Sequence, residues 1–124
     1  MTTDPLFGKK KWLDTELEKD FQARVADLLH VYGWSVFSIP DSRRATVSGW
    51  PDICAWNVKL GRIIWVELKR EKGRLSEAQK QVLSDLGLLG LENYVWRPSD
   101  WDDIVKIAKG TKWDFVLGNV HHRE

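Results

Sequence analysis

Apolar residues recur along this chain at two spacings, which divide it into helices and strands. Between residues 15 and 32 they recur at helical spacing, and Gly33 supplies a stop signal. The residues on this helical face are Leu17, Phe21, Val25, Leu28 and Tyr32. Four shorter apolar runs, bounded by Gly, Pro or polar residues, are typical of strands, namely "WSVFSI", "DICAWNV", "RIIWVELK" and "NYVWR".

Two further helices are expected in the second half of the chain. Ser76 caps one that runs to about Leu88 and is ended by Gly90, and Ser99 opens the other. The apolar face of the last helix is formed by Trp101, Ile104, Val105 and Ala108. The order is αβββαβα, and the later stretch "KWDFVL" is compatible with another strand. We therefore predict an α/β fold in which helices flank a central mixed sheet.

Polar residues interrupt this pattern in the two middle strands, within "SGWPDICAWNVKLGRIIWVELKR". A turn centred on Leu60 and Gly61 would pair Asp52 with Lys69 and Cys54 with Glu67. Paired residues, and residues two apart along a strand, point to the same face. Asp52, Glu67 and Lys69 would therefore converge on one face. The opposite face would be core, formed by Ile53, Ala55, Asn57, Ile64, Val66 and Leu68.

Two carboxylates held together in a low dielectric resist ionisation unless a positive charge is shared between them. Oxygen ligands without a His or Cys cluster favour a hard cation, and Mg²⁺ fits best. Two simpler interpretations stay open. Glu67 and Lys69 could be surface residues of an edge strand, or Lys69 could only neutralise a buried carboxylate.

Length, charge and cysteine content narrow the class of protein. A chain of 124 residues suits one domain, with an N-terminal arm at 1–13 and a tail at 119–124. The formal net charge is +1, but residues 41–80 hold nine Lys or Arg against five Asp or Glu. The single cysteine, Cys54, excludes an internal disulfide and a Cys-rich zinc site. No uncharged apolar stretch approaches the ~20 residues of a membrane span, so we expect a soluble, cytoplasmic protein without a membrane partner.

Pro51-Asp52 followed by Glu67-Leu68-Lys69 resembles the PD-(D/E)xK nuclease signature. Together with "GWPDI", "WVELKREKGRLSEAQ" and "VWRPSDWDDI", it is similar to the virus-type replication-repair nuclease domain, VRR-NUC, in a small stand-alone, phage-type form. The resemblance extends from Glu18 to about Ile107. It implies a restriction-endonuclease-like αβββαβ core and a divalent-metal-dependent phosphodiesterase.

Carried over by position, the resemblance assigns roles to five residues. Asp52, Glu67 and the backbone carbonyl of Leu68 would bind Mg²⁺, for which Mn²⁺ could substitute, and Lys69 would orient or deprotonate the attacking water. Glu18 matches the family's helix-one glutamate, which reaches the metal directly or through water. Its alternative role is a capping box with Thr15.

Gln79 matches the family's glutamine beyond the second carboxylate strand, which would contact a phosphate or the catalytic lysine. The pattern Ser76-x-x-Gln79 is also a capping box, so the same two interpretations compete here.

Substrate binding would involve basic residues around the same face, because Lys and Arg neutralise phosphates. The candidates are Arg43, Arg44, Arg70, Lys72, Arg74 and Lys80. A plain solvated surface explains any one of them equally well. Trp50 could stack on a base, whereas Trp56, Trp65 and Trp96 are assigned to packing.

The function that follows is a Mg²⁺-dependent endonuclease acting on branched DNA, similar to Holliday junction resolvases of repair and recombination. A less selective or flap-type endonuclease is one alternative, and a branched-DNA-binding module that does not cut is another. A homodimer is expected, because a junction has two-fold related strands and closed two-fold symmetry is the commonest assembly. The candidate contacts are Phe7, Trp12, Trp113, Phe115 and Leu117.

Overall fold

The computed structural model describes residues 13–40 and 48–111. Its elements are α1 (Glu18–Val31), β1 (Ser35–Ser38), β2 (Ile53–Asn57), β3 (Arg62–Leu68), α2 (Glu77–Leu88), β4 (Asn93–Trp96) and, after a 3₁₀ turn at Pro98–Asp100, α3 (Trp101–Ala108). The predicted order αβββαβα and the α/β class are confirmed. The stretch "KWDFVL" and the dimer candidates Phe7, Trp12, Trp113, Phe115 and Leu117 lie outside the described residues.

The strands form one four-stranded mixed sheet in the order β1-β2-β3-β4. The first three strands are antiparallel neighbours, whereas β4 lies parallel to β3 and is reached through α2. Within residues 13–40 and 48–111, no helix combines the length and apolar character needed to cross a bilayer.

Each face of the sheet is covered by different helices. The predicted core face is fully buried, with Ile53, Ala55, Ile64, Val66 and Leu68 at 0% exposure. It packs in one cluster with the buried sides of α1 and α3. On the other face, Leu83 of α2 and Leu75 pack against Val95 of β4. Since Val95 pairs with Glu67, helix α2 covers the same face on which Glu67 lies.

The register of the β2–β3 hairpin differs from the prediction by two residues. Ile53 pairs with Val66 and Asn57 with Arg62, so the register extends to place Asp52 opposite Glu67 rather than Lys69. The loop is centred one residue earlier because Asn57 Oδ1 accepts from the Leu60 amide at 3.0 Å. Gly61, at φ +66°, is the last residue of the loop and not its centre. A shift of two residues leaves every side chain on its predicted face.

The helix boundaries and faces also differ in detail. Helix α1 begins at Glu18 rather than near residue 15, and it buries Leu29, whereas Leu17 at its start is 46% exposed. Helix α3 buries Ile107 in addition to Ile104 and Ala108. Trp96 is buried as predicted, but Trp56 is 39% exposed, so its assignment to the core was wrong.

Candidate active site

Three carboxylates from three separate elements meet at one end of the sheet. Asp52 follows Pro51 just before β2, Glu67 is the penultimate residue of β3, and Glu18 is the first residue of α1. One oxygen of each lies within 4.8 Å of the others. Asp52 and Glu18 are partly exposed, whereas Glu67 is only 1% exposed. The cluster therefore has one fully buried acid with two acids that are open to ligands.

Hydrogen bonds from the surrounding chain fix the orientation of the two hairpin acids. The backbone N–H of Leu68 donates to Asp52 Oδ2 at 2.7 Å. Gln79 Nε2 donates to Glu67 Oε2 at 2.9 Å, and Lys69 Nζ lies 3.7 Å from the same oxygen. The other oxygen of Glu67, Oε1, is buried and has no hydrogen-bond partner within the described part of the chain.

Burial disfavours the ionisation of all three acids, and the charge of Asp52 adds to this effect at Glu67 and Glu18. Burial raises the pKa of Glu67 to about 9, the charge of Asp52 adds to the effect, and Lys69 opposes it. Burial also raises the pKa of Asp52, against the hydrogen bond from Leu68. The pKa of Glu18 is raised by burial and by Asp52, and is lowered by Lys69 and Arg70. The cluster therefore holds at least one proton at neutral pH and would lose it to a bound cation.

Gln79 forms the capping box and also contacts the carboxylate cluster, at Glu67 rather than at Lys69. Its backbone N–H donates to Ser76 Oγ at 3.1 Å and its Oε1 accepts from the Ser76 amide at 2.9 Å, which completes the capping box of α2. Its Nε2 is then left to hold Glu67. The two ends of one amide thus join the start of α2 to the carboxylate cluster.

Glu18 does not belong to a capping box with Thr15 as N-cap. Leu17 occupies the N-cap position of α1 and provides no side-chain cap, so Glu18 is the first helical residue. Its carboxylate instead reaches toward Asp52 and Glu67. Of the two interpretations from the sequence, the structure supports the one in which Glu18 joins the acidic cluster.

The segment before Asp52 is packed directly on the start of α2. Gly49 has φ +88°, and a Cβ placed on it would lie 2.5 Å from both the backbone C and O of Ala78 and 2.7 Å from Gln79 N. Backbone atoms cannot yield as a flexible side chain would. Glycine is therefore needed here for its conformation and for the close approach that sets Asp52 and Gln79 side by side.

Five of the predicted DNA-binding residues are described, and all five are exposed: Trp50, Arg70, Lys72, Arg74 and Lys80. Lys72 lies 3.6 Å from Asp14 and Lys80 lies 3.4 Å from Glu77, as ion pairs at the surface. Arg70 and Arg74 are exposed, with no ion-pair partner in residues 13–40 and 48–111. Trp50 is 37% exposed and contacts Trp65 edge-on. Arg43 and Arg44 lie outside the described residues.

Sequence reasoning missed the residues that anchor the basic segment 70–74. Arg97, 5% exposed, donates from Nη2 to the carbonyl oxygen of Gly73 at 2.6 Å. Glu71 Oε1 accepts from the Ser99 amide at 2.9 Å. Both bonds attach the segment to the chain just beyond β4. The one sequence feature that could have indicated this anchor is the position of Arg97 directly after an apolar strand. A charged residue is uncommon there unless it has a partner.

The donor set fits a hard divalent cation. Three carboxylates supply oxygen ligands, the cluster contains no His or Cys, and Glu67 Oε1 has no hydrogen-bond partner among the described residues. A cation would also offset the burial that raises the pKa values of the three acids and the repulsion from Asp52 that raises those of Glu67 and Glu18. Among the described residues, this is the group of acids that could hold such an ion.

Comparison with known proteins adds one positive finding. A family model described as the VRR-NUC domain matches residues 35–99, which is 65 of the 124 residues and just over half of the chain. The match includes Asp52, Glu67, Lys69 and Gln79, but begins after Glu18. No curated protein and no solved structure was found to match.

Proposed function

The chain belongs to the VRR-NUC domain family, and from this membership and the site we propose a metal-dependent endodeoxyribonuclease that cuts branched DNA as Holliday junction resolvases do. The family is one of PD-(D/E)xK nucleases. The observation that carries the proposal is the cluster of Glu18, Asp52 and Glu67 with Lys69 beside it. We place the whole chain in one such nuclease domain, acting in DNA repair or recombination.

Asp52, Glu67 and the carbonyl of Leu68 would hold Mg²⁺, with Mn²⁺ able to substitute, and Glu18 would contribute directly or through water. When bound, the cation polarises the scissile phosphate and neutralises the charge that develops in the transition state. The proximity of the three carboxylates supports this ligand set.

The remaining residues of the site position the reacting groups. Lys69, with a side chain that is 13% exposed, would orient the attacking water or accept its proton. Gln79 keeps Glu67 in place through the 2.9 Å hydrogen bond, and the Leu68 amide does the same for Asp52. No covalent intermediate is required, because water can attack the phosphorus directly.

Exposed cations beside the site would bind the DNA backbone. Arg70 and Arg74 follow Lys69 in the segment held by Arg97, and Lys72 and Lys80 can exchange weak surface ion pairs for phosphate contacts. Arg43 and Arg44, which lie in sequence between β1 and β2, are proposed to contribute as well. The anchoring of the segment favours a fixed set of phosphate contacts.

We propose a homodimer as the working form. The described residues contain one carboxylate cluster, which can hydrolyse one strand at a time, whereas a four-way junction presents two strands related by two-fold symmetry. The candidate contacts between copies stay Phe7, Trp12, Trp113, Phe115 and Leu117, which lie outside the described residues. Light scattering at micromolar concentration that finds only monomer would contradict this part of the proposal.

Cleavage of matched synthetic DNAs tests the function. Four-way junctions, flaps and plain duplex are incubated with Mg²⁺ and then with EDTA, using wild type, Asp52→Asn and the control Asp85→Asn. Asp85 is exposed on α2, so its variant makes the same charge change away from the site. We expect junction cleavage that EDTA abolishes, with at least about a hundredfold loss in Asp52→Asn only.

The pattern of substrates distinguishes the alternatives. Equal cutting of plain duplex would indicate a general endonuclease, and preference for flaps a flap nuclease. Binding to junctions without cleavage in the presence of any divalent cation would indicate that the protein is a DNA-binding module that does not cut.

A further inference from the structure

A pocket of about 590 Å³ opens directly beside the carboxylate cluster. Asp52 and Gln79 form the side that it shares with the cluster. The rest of its lining comes from Ser48 to Pro51, from Ser76 and Ala78 at the start of α2, and from Ile39 and Pro40. None of the metal-site roles described above uses this space.

The chemistry of the walls selects an uncharged, flat ligand. Apolar surface comes from Ile39, Pro40, Trp50, Pro51 and Ala78. The aromatic ring of Trp50 among these residues favours a flat, uncharged group over a bare phosphate. Ser48 offers a hydroxyl group of the kind that contacts base edges. A nucleobase meets these conditions, whereas the DNA backbone belongs outside, with the basic segment 70–74.

Trp50 is held ready as a stacking surface. The residue is 37% exposed, and its ring lies edge-on to that of Trp65, with centroids 5.5 Å apart and planes at 74°. Pro51 restricts the backbone conformation of Trp50, the residue that precedes it. An aromatic ring that is already positioned loses little conformational freedom when a base stacks on it.

The part of the pocket next to Trp50, formed by Gly49 and the start of α2, is closely packed. Gly49 packs against the backbone of Ala78 so closely that even a methyl group would collide. The capping box through Ser76 and Gln79 fixes the same turn of α2. The side of the pocket formed by Gly49 and the start of α2 therefore has little freedom to move.

We propose that this pocket receives one unpaired nucleobase of the cleaved strand, adjacent to the phosphate that is hydrolysed. The inference rests on the proposed function for the identity of the strand. Bases leave the stack most readily where they are already unpaired, as at branch points and flaps. The pocket would thus select DNA in which the nucleotide beside the scissile bond is free to turn outward.

A double-mutant cycle between protein and DNA tests this. Binding is measured by fluorescence anisotropy, in Ca²⁺ and in EDTA, for two flap DNAs that carry either an unpaired thymine or an abasic site at the branch. The proteins are wild type, Trp50→Ala and Trp56→Ala. Trp56 is a matched control because it is 39% exposed and lies on the sheet away from the pocket.

We expect the abasic site and Trp50→Ala each to weaken binding about tenfold or more, and their combination to weaken it no further. Trp56→Ala should leave the preference for thymine intact. Independent, multiplicative effects of the abasic site and Trp50→Ala would overturn the proposal, as would no effect of the abasic site.

If Trp50→Ala does not fold, Ala78→Leu fills the same pocket from α2 and should abolish the preference for thymine. Its retention of that preference would equally overturn the proposal. Because the readout is binding, failure of the pocket leaves the nuclease assay unaffected, and absence of cleavage leaves the base–tryptophan coupling measurable.

Discussion

Raising the pH should tighten the binding of Mg²⁺ or Mn²⁺ to the carboxylate cluster, because the cation must displace a proton from Glu67. Burial first, and the neighbouring Asp52 second, raise the pKa of this carboxyl to about 9. At pH 7 the proton therefore costs about 3 kcal/mol to remove, at about 1.4 kcal/mol for each pH unit below the pKa. The apparent affinity should rise up to about tenfold per pH unit between pH 6 and 9 and then level off.

Calorimetry measures both parts of this prediction. Titrations at pH 7 in two buffers of different ionisation enthalpy give the number of protons released, which should be close to one. Titrations at pH 6, 7, 8 and 9 give the slope of affinity. In Glu67→Gln, which removes the titrating group without changing its size, binding should be weak and nearly independent of pH. Glu77→Gln removes a carboxylate that is 93% exposed and should behave as wild type.

Two results would refute the reasoning. Binding without proton release at pH 7 would mean that Glu67 is already ionised in the cation-free protein. An unchanged affinity in Glu67→Gln would mean that the cation binds elsewhere.

Three further predictions concern the packing around the site. Ser76→Ala should lower stability by about 1 kcal/mol and leave turnover normal, because it removes only the cap. Gln79→Leu should lower both the melting temperature and the cleavage rate, because it also removes the hydrogen bond to Glu67. Normal turnover in Gln79→Leu would limit Gln79 to capping. Gly49→Ala and Gly61→Ala both place alanine at positive φ. Only Gly49→Ala should also lose cleavage, because no atom lies within 4 Å of a Cβ placed on Gly61. Equal kcat values in the two variants would show that the close packing at Gly49 does not matter for the site. Between pH 4.5 and about 9, Glu67 is protonated in the folded chain and ionised in the unfolded chain. The free energy of unfolding without cation should therefore fall as pH rises through that range, by up to about 1.4 kcal/mol per pH unit. Urea titrations measure this trend, which should be lost in Glu67→Gln.

Alternation of polar and apolar residues along the strands made the face of each hairpin residue predictable. It did not make the register of the hairpin predictable. The wrong centre at Leu60 and Gly61 moved the partner of Asp52 from Glu67 to Lys69, yet a shift by two preserves which face each side chain occupies. The actual centre depends on the side chain of Asn57 accepting from the Leu60 amide. Pattern and turn propensity did not reveal that hydrogen bond.

The sequence could name candidates at the site but could not choose among their roles. A capping box is a local pattern, so Ser76 and Gln79 were recognised from spacing alone. The bond from Gln79 to Glu67 joins residues twelve positions apart across an element boundary, and no local pattern encodes it. The pocket beside Asp52 was unpredictable for the same reason, because it is assembled from three segments distant in the chain.

The position of Glu67 in the sheet explains why the unfavourable burial of its carboxyl group persists in the fold. Glu67 stands between Val66 and Leu68, both at 0% exposure on the core face, so alternation forces its side chain onto the opposite face. That face is covered by α2, and β3 is paired on both sides, with β2 and with β4. A central strand cannot twist or slip to expose one side chain without breaking two ladders of hydrogen bonds. The repulsion between Glu67 and Asp52 therefore cannot be relieved by movement of the strand, and a proton or a cation must relieve it instead.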